Sequence, residues 1–236
     1  FRNVEKKKPE LQFFIDHKVP QVKFVDRTFN CSHQHAMEIW KYIAEHDNGI
    51  TNFHFEVAAD LLNEEEIALI QLEIGVQSTN PDTVKEIHRT MDFEKVSANV
   101  RAVQKNGNVH QHLDLIAGLP HENLKSFHRS FNDVYALHPE QLQLGFLKVL
   151  KGSYMQEHQA EYGLVVKNIP PYEVLYTDWL PYDDVLRLKG IEEMVEVYYN
   201  SGQFTQTMPE LEKYFKDPFI MYADMAAYYD KNGYFK

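Results

Sequence analysis

The chain has 236 residues, 44% of them hydrophobic and 25% charged, which suits one large α/β domain or one domain with an appendage. A formal net charge of −11 excludes the basic surface of a general nucleic-acid-binding protein, so no nucleic-acid partner is expected. No apolar run approaches the ~20 residues of a membrane span, and the single cysteine excludes an internal disulfide framework and favours a reducing, cytoplasmic compartment.

The first elements predicted along the chain are two helices and two strands. Residues 5–17 form the first predicted helix, and VKFVD at 22–26 forms the first strand. Ser32 is a suitable N-cap for a second helix that runs to about Glu45, because a serine oxygen accepts hydrogen bonds from the free amide groups there. The second strand is FHFEV at 53–57.

The next junction along the chain is irregular. Asn63 and the three glutamates after it begin a helix, yet the strand LEIGVQS at 72–78 follows Ile70 almost at once. A βαβ unit usually takes roughly 30 residues, and far fewer separate these two strands. We therefore expect residues of the longer protein to be missing between Ile70 and Gln71.

The middle of the chain continues the alternation of helices and strands. Helices are predicted at 80–89, 93–105 and 123–137, and strands at 110–117 and 141–147. Strands separated by helices in this order are typical of an α/β fold with a parallel sheet.

Polar and apolar residues alternate along these strands, which predicts a sheet with one polar face. In the strand at 110–117, His112 and Asp114 oppose Leu113 and Leu115. A parallel strand buried on both faces would instead be almost continuously apolar. An ordinary (β/α) barrel fills its interior with apolar side chains, so a polar interior predicts a ligand there.

From residue 154 the pattern of the chain changes. Two consecutive prolines, Trp179 and many tyrosines predict an irregular segment. Helices follow at 185–199, 209–216 and 218–229. We predict two domains, a barrel-like α/β domain over residues 1–153 and a mostly helical extension over residues 154–236.

Carboxylates on the polar face are the first candidates for function. Glu56 and Glu73 fall there, and a carboxylate inside a closed sheet is costly unless it is paired or ligand-bound. Gly118, at the end of its strand, would let a ligand approach the backbone closely. The spacing Gly118-x-x-x-Glu122 is a weak pattern by itself.

Two alternative functions fit the same residues. A divalent-metal-dependent barrel hydrolase would use the imidazole and carboxylate groups of His54, Glu56, His110, His112 and Asp114. A non-catalytic binding module would use the polar face for affinity alone. Cys31 lies just beyond a strand end, but no motif supplies a base beside it, which favours a structural cysteine over a nucleophile.

Several segments resemble one known family. LEIGVQS and LDLIAGLP resemble the fourth- and fifth-strand signatures of the radical SAM superfamily. FVDRTFN, HAMEIW and LGFLKVLKGS resemble its branch with an N-terminal cobalamin-binding domain, whose members are described as anaerobic magnesium-protoporphyrin IX monomethyl ester oxidative cyclase-like. The resemblance covers about residues 8–155, with the later tail as a branch-specific extension. It implies a partial (β/α) TIM-like barrel of which this chain holds strands two to six and lacks the first.

The resemblance also implies a set of residues that bind S-adenosylmethionine. They are Asp26, Arg27, Asn30, Glu56, Glu73, Gln77, Ser78, His112, Asp114, Ile116, Ala117, Gly118 and Lys148. The end of FVDRTFN stands where the family contacts the methionine amine, and the end of LEIGVQS stands near the ribose and the methionine carboxylate. The segment that ends at Gly118 flanks the adenine, and Lys148 faces substrate or nucleotide.

One departure from the family pattern concerns the iron–sulfur cluster. The family binds a 4Fe–4S cluster through CxxxCxxC after the first strand, whereas this chain has only Cys31, in a different place. We expect the cluster cysteines upstream of Phe1, so that the fragment itself holds no metal or cofactor and is inactive. The full-length protein would cleave S-adenosylmethionine reductively to a 5′-deoxyadenosyl radical that acts on a tetrapyrrole-like or other small-molecule substrate.

Absence of the first βα unit would also leave an exposed sheet edge. The strand at 22–26 would then present unpaired backbone groups, which favour pairing with another chain. We expect the fragment to self-associate through this edge or to cover it with its own N-terminal helix.

Overall fold

The computed structural model describes residues 4–25, 28–46, 48–58, 61, 72–106 and 111–235. The helices are α1 Val4–Asp16, α2 His33–His46, α3 Pro81–Glu86, α4 Phe93–Asn106, α5 Leu124–Tyr135, α6 Tyr154–Glu157, α7 Tyr182–Val195, α8 Thr207–Glu212 and α9 Pro218–Lys231. The strands are β1 Gln21–Lys23, β2 Asn52–His54, β3 Glu56–Val57, β4 Leu72–Gln77, β5 Gln111–Ala117, β6 Gln141–Phe146, β7 Val165–Val166 and β8 Val174–Tyr176. The predictions for Asp26, Arg27, His110, the helix from Asn63 and the junction at 70/71 lie outside the described residues.

The chain divides into two compact units. The first comprises residues 1–75 and 91–112, and the second comprises residues 76–90 and 113–236. Both limits differ from the boundary predicted at residue 153, which stays a prediction. The last strands of the predicted barrel and the C-terminal extension fall in the same unit.

The strands form a four-stranded sheet and two smaller ones. Strands β3 to β6 pair in the order β3-β4-β5-β6, while β1 pairs with β2 and β7 pairs with β8. The β1–β2 and β3–β4 pairs are parallel, as predicted from the alternation of strands and helices. The result is a mixed α/β fold with small sheets, and its closure into a partial barrel stays a prediction.

The predicted strand FHFEV is broken in the middle, so its description as one element was wrong. Residues on either side of Phe55 belong to β2 and β3, which join different sheets. Phe55 itself is buried, with its ring centroid 4.5 Å from that of Phe24 and 4.6 Å from that of Phe29. Packing of this aromatic cluster therefore replaces strand pairing at the break.

Alternation of burial along β5 and β6 confirms the predicted two-faced sheet. On β5, Leu113 and Leu115 are fully buried, while His112 and Asp114 remain half-buried. On β6, the even-numbered residues are buried and the odd-numbered residues are half-buried or exposed. One face of these strands thus packs into the core, and the other is less buried.

Helix α5 shows why the sequence folds as predicted near residue 123. Asn123 accepts a hydrogen bond from the Ser126 amide, and the Ser126 hydroxyl accepts one from the Asn123 amide, which forms a capping box. Apolar residues at helical spacing, Phe127, Phe131 and Val134, are buried on the inner face. The cap and the stripe together fix where the helix begins and which side faces the core.

The C-terminal extension is less purely helical than predicted. It contains the antiparallel pair β7–β8, and Lys148 forms an isolated bridge with Glu173. Helix α7 begins earlier than predicted and continues into a π-helical turn, Glu196–Asn200. Within the described part of the chain, no helix combines the length and the apolarity that a bilayer crossing requires.

Asn200 in that π-helical turn protects the edge of the sheet. Its side-chain amide accepts a hydrogen bond from the Leu142 N–H and donates one to the Leu142 carbonyl, each at 3.0 Å. Strand β6 is the last strand in the order β3-β4-β5-β6, and unpaired backbone groups on such an edge favour pairing with a strand of another chain. The extension therefore takes part in completing the sheet.

Candidate functional site

In the first unit, Asn30 uses its side chain to hold the backbone. It is fully buried, its amide nitrogen donates to the Ala58 carbonyl at 2.8 Å, and its amide oxygen accepts from the Ala58 N–H at 2.9 Å. This pair of bonds ties the turn after β1 to the chain after β3. The predicted contact of Asn30 with a methionine amine stays a prediction.

Glu56 does not have the environment that the sequence argument assumed. Its side chain is 44% exposed and lies 3.8 Å from the Lys23 ammonium. Solvent and a neighbouring cation already stabilise this carboxylate, so burial does not require a ligand for it. Its neighbour in register across β3 and β4 is Glu73.

In the second unit, Gln77 and Ser78 end strand β4 in a constrained turn. Gln77 is half-buried at φ +69°, a left-handed conformation that is unusual for a residue other than glycine. Ser78 is fully buried, and its hydroxyl donates to Glu122 Oε1 at 2.8 Å and accepts from the Asn80 N–H at 3.0 Å. The Ser78 hydroxyl therefore serves the turn in this structure.

Glu122 is the buried carboxyl group of this region. In the sequence it appears only in the weak pattern Gly118-x-x-x-Glu122. It is 1% exposed, and Oε1 accepts hydrogen bonds from Ser78 at 2.8 Å and from Ser130 at 3.1 Å. Burial raises the pKa of Glu122 to about 7, against the opposing effect of the two hydroxyl donors. Oε2 has no hydrogen-bond partner among the residues that the structure describes.

Further hydrogen bonds join the turn after β4 to the loop after β5 and to α5. The Thr79 hydroxyl donates to Asp133 at 2.7 Å, and the Thr79 N–H donates to Ser130 at 3.1 Å. The side-chain amide of Asn80 donates to the His121 carbonyl at 2.9 Å. These contacts join residues some 40 to 50 positions apart, which no local sequence pattern could reveal.

Strand β5 contributes the predicted adenine segment to the same unit. Asp114 and Ile116 are half-buried, while Ala117 is buried and its carbonyl accepts from the Leu147 N–H at 2.9 Å. Gly118 has φ +86°, and a β-carbon there would lie 2.7 Å from Val174 Cγ1. Val174 of β8 therefore occupies the space beside Gly118 in which a ligand is expected from the sequence.

Two other predicted residues are placed as follows. Lys148 is exposed just beyond β6, where its backbone bridges to Glu173. His112 is half-buried on β5 in the first unit. Their predicted contacts with a cofactor or substrate stay predictions.

A cluster of ionisable and aromatic side chains lies beside the loop after β5. His121 has φ +60°, its Nε2 lies 3.6 Å from Glu86, and its ring centroid lies 4.6 Å from that of Trp179. The Tyr162 hydroxyl donates to Glu86 and lowers the pKa of that carboxyl group. The C-terminal extension thus supplies part of the surroundings of this loop.

The ligand set of the alternative metal hydrolase is not assembled by the described residues. Across the described ranges, no group of three or more histidine, cysteine, aspartate or glutamate side chains is arranged to hold a metal ion. His110 lies outside these ranges. The described geometry therefore offers no support for that hypothesis.

The polar face of the second unit suits S-adenosylmethionine by its donor chemistry. Half-buried Gln77 and Asp114 offer amide and carboxylate groups for ribose and amino-acid atoms, and half-buried Ile116 offers an apolar contact for adenine. A β-carbon at Gly145 would meet only ordinary contacts, 3.5 Å from the Leu115 carbonyl oxygen. These residues fit the group that the resemblance implies.

Comparison with known sequences gives two matches. Residues 160–236 match a family model described as a protein of unknown function (DUF4080). Over 109 residues the chain is 28% identical to the oxygen-independent coproporphyrinogen-III oxidase-like protein HemZ of Bacillus subtilis. This match covers 44% of this chain and 22% of HemZ.

Solved structures share the fold at low sequence identity. The radical S-adenosylmethionine methyltransferase TsrM from Kitasatospora setae, solved with cobalamin and a 4Fe–4S cluster, matches with a TM-score of 0.62 at 16% identity, over 72% of this chain and 37% of TsrM. Coproporphyrinogen III oxidase HemN from Escherichia coli, described as a radical SAM enzyme, matches with a TM-score of 0.54 at 18% identity, over 86% of this chain and 48% of HemN. The chain therefore has the fold of radical SAM enzymes and spans less than half the length of each of these proteins.

Proposed function

We propose that this chain is part of a radical SAM enzyme that uses S-adenosylmethionine and a 4Fe–4S cluster. The observation that carries the proposal is the fold shared with TsrM, at a TM-score of 0.62 over 72% of the chain. The 28% identity to HemZ over 109 residues supports it independently at the level of sequence. A fold alone is compatible with many activities, so further support for cofactor binding has to come from the residues of the polar face.

The residues of this chain would bind and orient the cofactor. Gln77 and Asp114 would hold its polar atoms, and Ile116 would contact its adenine. When bound, S-adenosylmethionine and the reduced cluster supply a 5′-deoxyadenosyl radical that abstracts a hydrogen atom from substrate. The protein positions the reacting groups and keeps water away from them.

The cluster in this proposal requires cysteines from outside these 236 residues, because the chain contains only one. The whole protein that includes this chain is thus the form in which to test the activity.

The finer proposal concerns substrate and branch. HemZ and HemN are named for coproporphyrinogen oxidation, and TsrM was solved with cobalamin. Together with the segments that resemble the cyclase-like branch, the names of HemZ and HemN support an oxidoreductase with a small, tetrapyrrole-like substrate. Cobalamin bound by a separate domain belongs to the same proposal.

The test uses the full-length protein, purified without oxygen and reconstituted with iron and sulfide. After reduction with dithionite in the presence of S-adenosylmethionine, we expect 5′-deoxyadenosine and methionine to form in equal amounts, measured by liquid chromatography and mass spectrometry. S-adenosylmethionine bound without formation of 5′-deoxyadenosine would overturn the proposal and favour a binding module.

A matched pair of variants tests the site itself. In Asp114→Ala we expect the Kd for S-adenosylmethionine to rise roughly tenfold, because a polar contact to the ligand is lost. In Gln143→Ala, on the exposed part of β6, we expect no more than about a twofold change. Equal affinities in the two variants, measured by calorimetry on the unreduced protein, would remove Asp114 from the site.

A further inference from the structure

Glu122 is almost completely buried, which is rare for a glutamate. It is 1% exposed, and its described partners are the hydroxyl groups of Ser78 and Ser130. A buried carboxyl group that accepts only two neutral hydrogen bonds costs free energy relative to an apolar side chain. A carboxyl group at this position must therefore have a role that an apolar side chain could not fill.

The contacts of Glu122 show what it determines. Through Ser78 it holds the turn at the end of β4, and through Ser130 it is anchored to α5. The same Ser78 hydroxyl accepts the Asn80 N–H at 3.0 Å, so a bond to Glu122 orients the hydroxyl for both contacts. Gln77, directly before Ser78, is held at φ +69°, a conformation that persists only where its surroundings enforce it.

We propose that Glu122 is a positioning residue for cofactor binding, which holds the turn at residues 77–80 through Ser78 and thereby presents Gln77 to S-adenosylmethionine. This inference rests on the proposed function. It assigns Ser78 an indirect role in place of the direct ligand contact that the sequence resemblance implied.

The ionisable side chains near Glu122 have hydrogen-bond or ring partners of their own. The charge of Glu122 itself therefore determines its interactions with the turn. From α5 the ionisable neighbour is Asp133, which is linked through Thr79 and Ser130. From the loop after β5 it is His121, whose ring pairs with Glu86 and Trp179. The turn after β4 brings the neutral side chains of Ser78, Thr79 and Asn80.

Protonation of Glu122 should therefore affect the turn near neutral pH. Burial raises its pKa to about 7, so the carboxyl group is neutral at pH 6 and ionised at pH 8.5. The ionised form is the one that burial penalises. The hydrogen bonds from Ser78 and Ser130 act in the opposite direction and favour the ionised form, so the strength of the hold on the turn depends on the charge of Glu122.

The experiment measures the Kd for S-adenosylmethionine on the full-length, unreduced protein and on four variants. Glu122→Ala and Ser78→Ala remove the link to the turn, and we expect each to raise Kd by roughly tenfold. Glu122→Gln keeps an oxygen acceptor for both serines, and we expect it to bind within about threefold of the original protein. Glu157→Gln, on exposed α6, is the control for loss of a charge and should leave Kd unchanged.

A pH series separates positioning from simple support of the fold. Between pH 6 and pH 8.5, we expect Kd of the original protein divided by Kd of Glu122→Gln to change by several-fold, because only the original protein changes charge at this position. Titration of the ligand itself cancels in this ratio. A ratio that stays constant, or a Ser78→Ala variant that binds as tightly as the original, would overturn the inference even if Glu122→Ala failed to fold. Absence of binding by the original protein would instead contradict the proposed function.

Discussion

At the scale of single residues, the carboxyl groups of Glu56 and Glu122 lie in very different surroundings. Glu56 was predicted to lie inside a closed sheet, yet its side chain is 44% exposed beside Lys23. Glu122, near the end of the loop after β5, belongs only to a weak sequence pattern, yet it is 1% exposed. Both residues are glutamates next to apolar segments, so only their tertiary surroundings separate them.

Glu122 should make the stability of the protein depend on pH in an identifiable direction. Its pKa is raised from 4.5 to about 7, so the folded state holds a proton that the unfolded state has released. Stability from this group is complete below pH 4.5 and is lost as the pH rises through 7. The loss amounts to at most roughly 3 kcal/mol.

Glu122→Gln should remove this dependence. In urea unfolding at pH 5.5 and pH 8, we expect the free energy of unfolding of the original protein to fall relative to that of the variant. Other titrating groups are common to both proteins and cancel in the comparison. Parallel pH profiles for the two proteins would contradict a pKa near 7 for this residue.

At the scale of elements, the end of β5 depends on a strand that the sequence did not predict. Gly118 is predicted from the sequence as a point of ligand approach, whereas the Val174 side chain of β8 lies where a β-carbon of residue 118 would be. Strand β8 is three residues long and pairs with β7, which has two, so neither shows a periodic pattern. Their pairing depends on contacts with the rest of the unit.

A glycine pair tests this packing. Gly118→Ala forces a β-carbon to within 2.7 Å of Val174 at φ +86°, whereas Gly152→Ala at φ +75° has no heavy atom within 4 Å. Both variants carry the backbone penalty of a positive φ, about 1 kcal/mol, and only the first adds a clash. We expect Gly118→Ala to be less stable than Gly152→Ala by roughly 1–3 kcal/mol in urea unfolding.

The double variant Gly118→Ala/Val174→Ala supplies the control for this prediction. Trimming Val174 makes room for the new methyl group, so the two substitutions should be less than additive. Additive losses would mean that Val174 is not the obstacle.

At the scale of the molecule, the β1 edge of the first unit has consequences for assembly, because among the strands that the structure describes β1 pairs with β2 alone. Strand β1 pairs with β2, and Val25 directly beyond it is 89% exposed. Helix α1 approaches this region through Lys7, whose ammonium lies 5.7 Å from the Phe24 ring centroid. In contrast, the β6 edge is occupied by Asn200.

Self-association should therefore occur through the β1 edge in the isolated 236-residue chain. Sedimentation velocity should show a concentration-dependent dimer or larger species, and Val25→Lys should shift it to monomer because a lysine on an edge opposes strand addition. Ile50→Lys changes another exposed apolar residue of the same unit, 50% exposed in a loop, and should have no effect. A monodisperse monomer for the original chain would contradict this prediction.

The sequence by itself determined the elements whose signals are local. Alternating polarity predicted the two faces of β5 and β6, and the helix predicted at 123–137 corresponds to α5. The α/β class followed from the order of helices and strands. These features depend on residues within a few positions of one another, because side-chain period and end capping are properties of a single segment.

Only the tertiary structure decided which residues are buried together around the candidate site. The break at Phe55, the β7–β8 pair, the cover on the β6 edge and the enclosure of Glu122 all depend on groups far apart in the chain. Ser78 and Glu122 are separated by 44 positions, and no pattern in either segment reveals that their oxygen atoms lie 2.8 Å apart. Burial arises when the whole chain packs, and it is burial that turns an ordinary glutamate into a group that titrates near neutral pH.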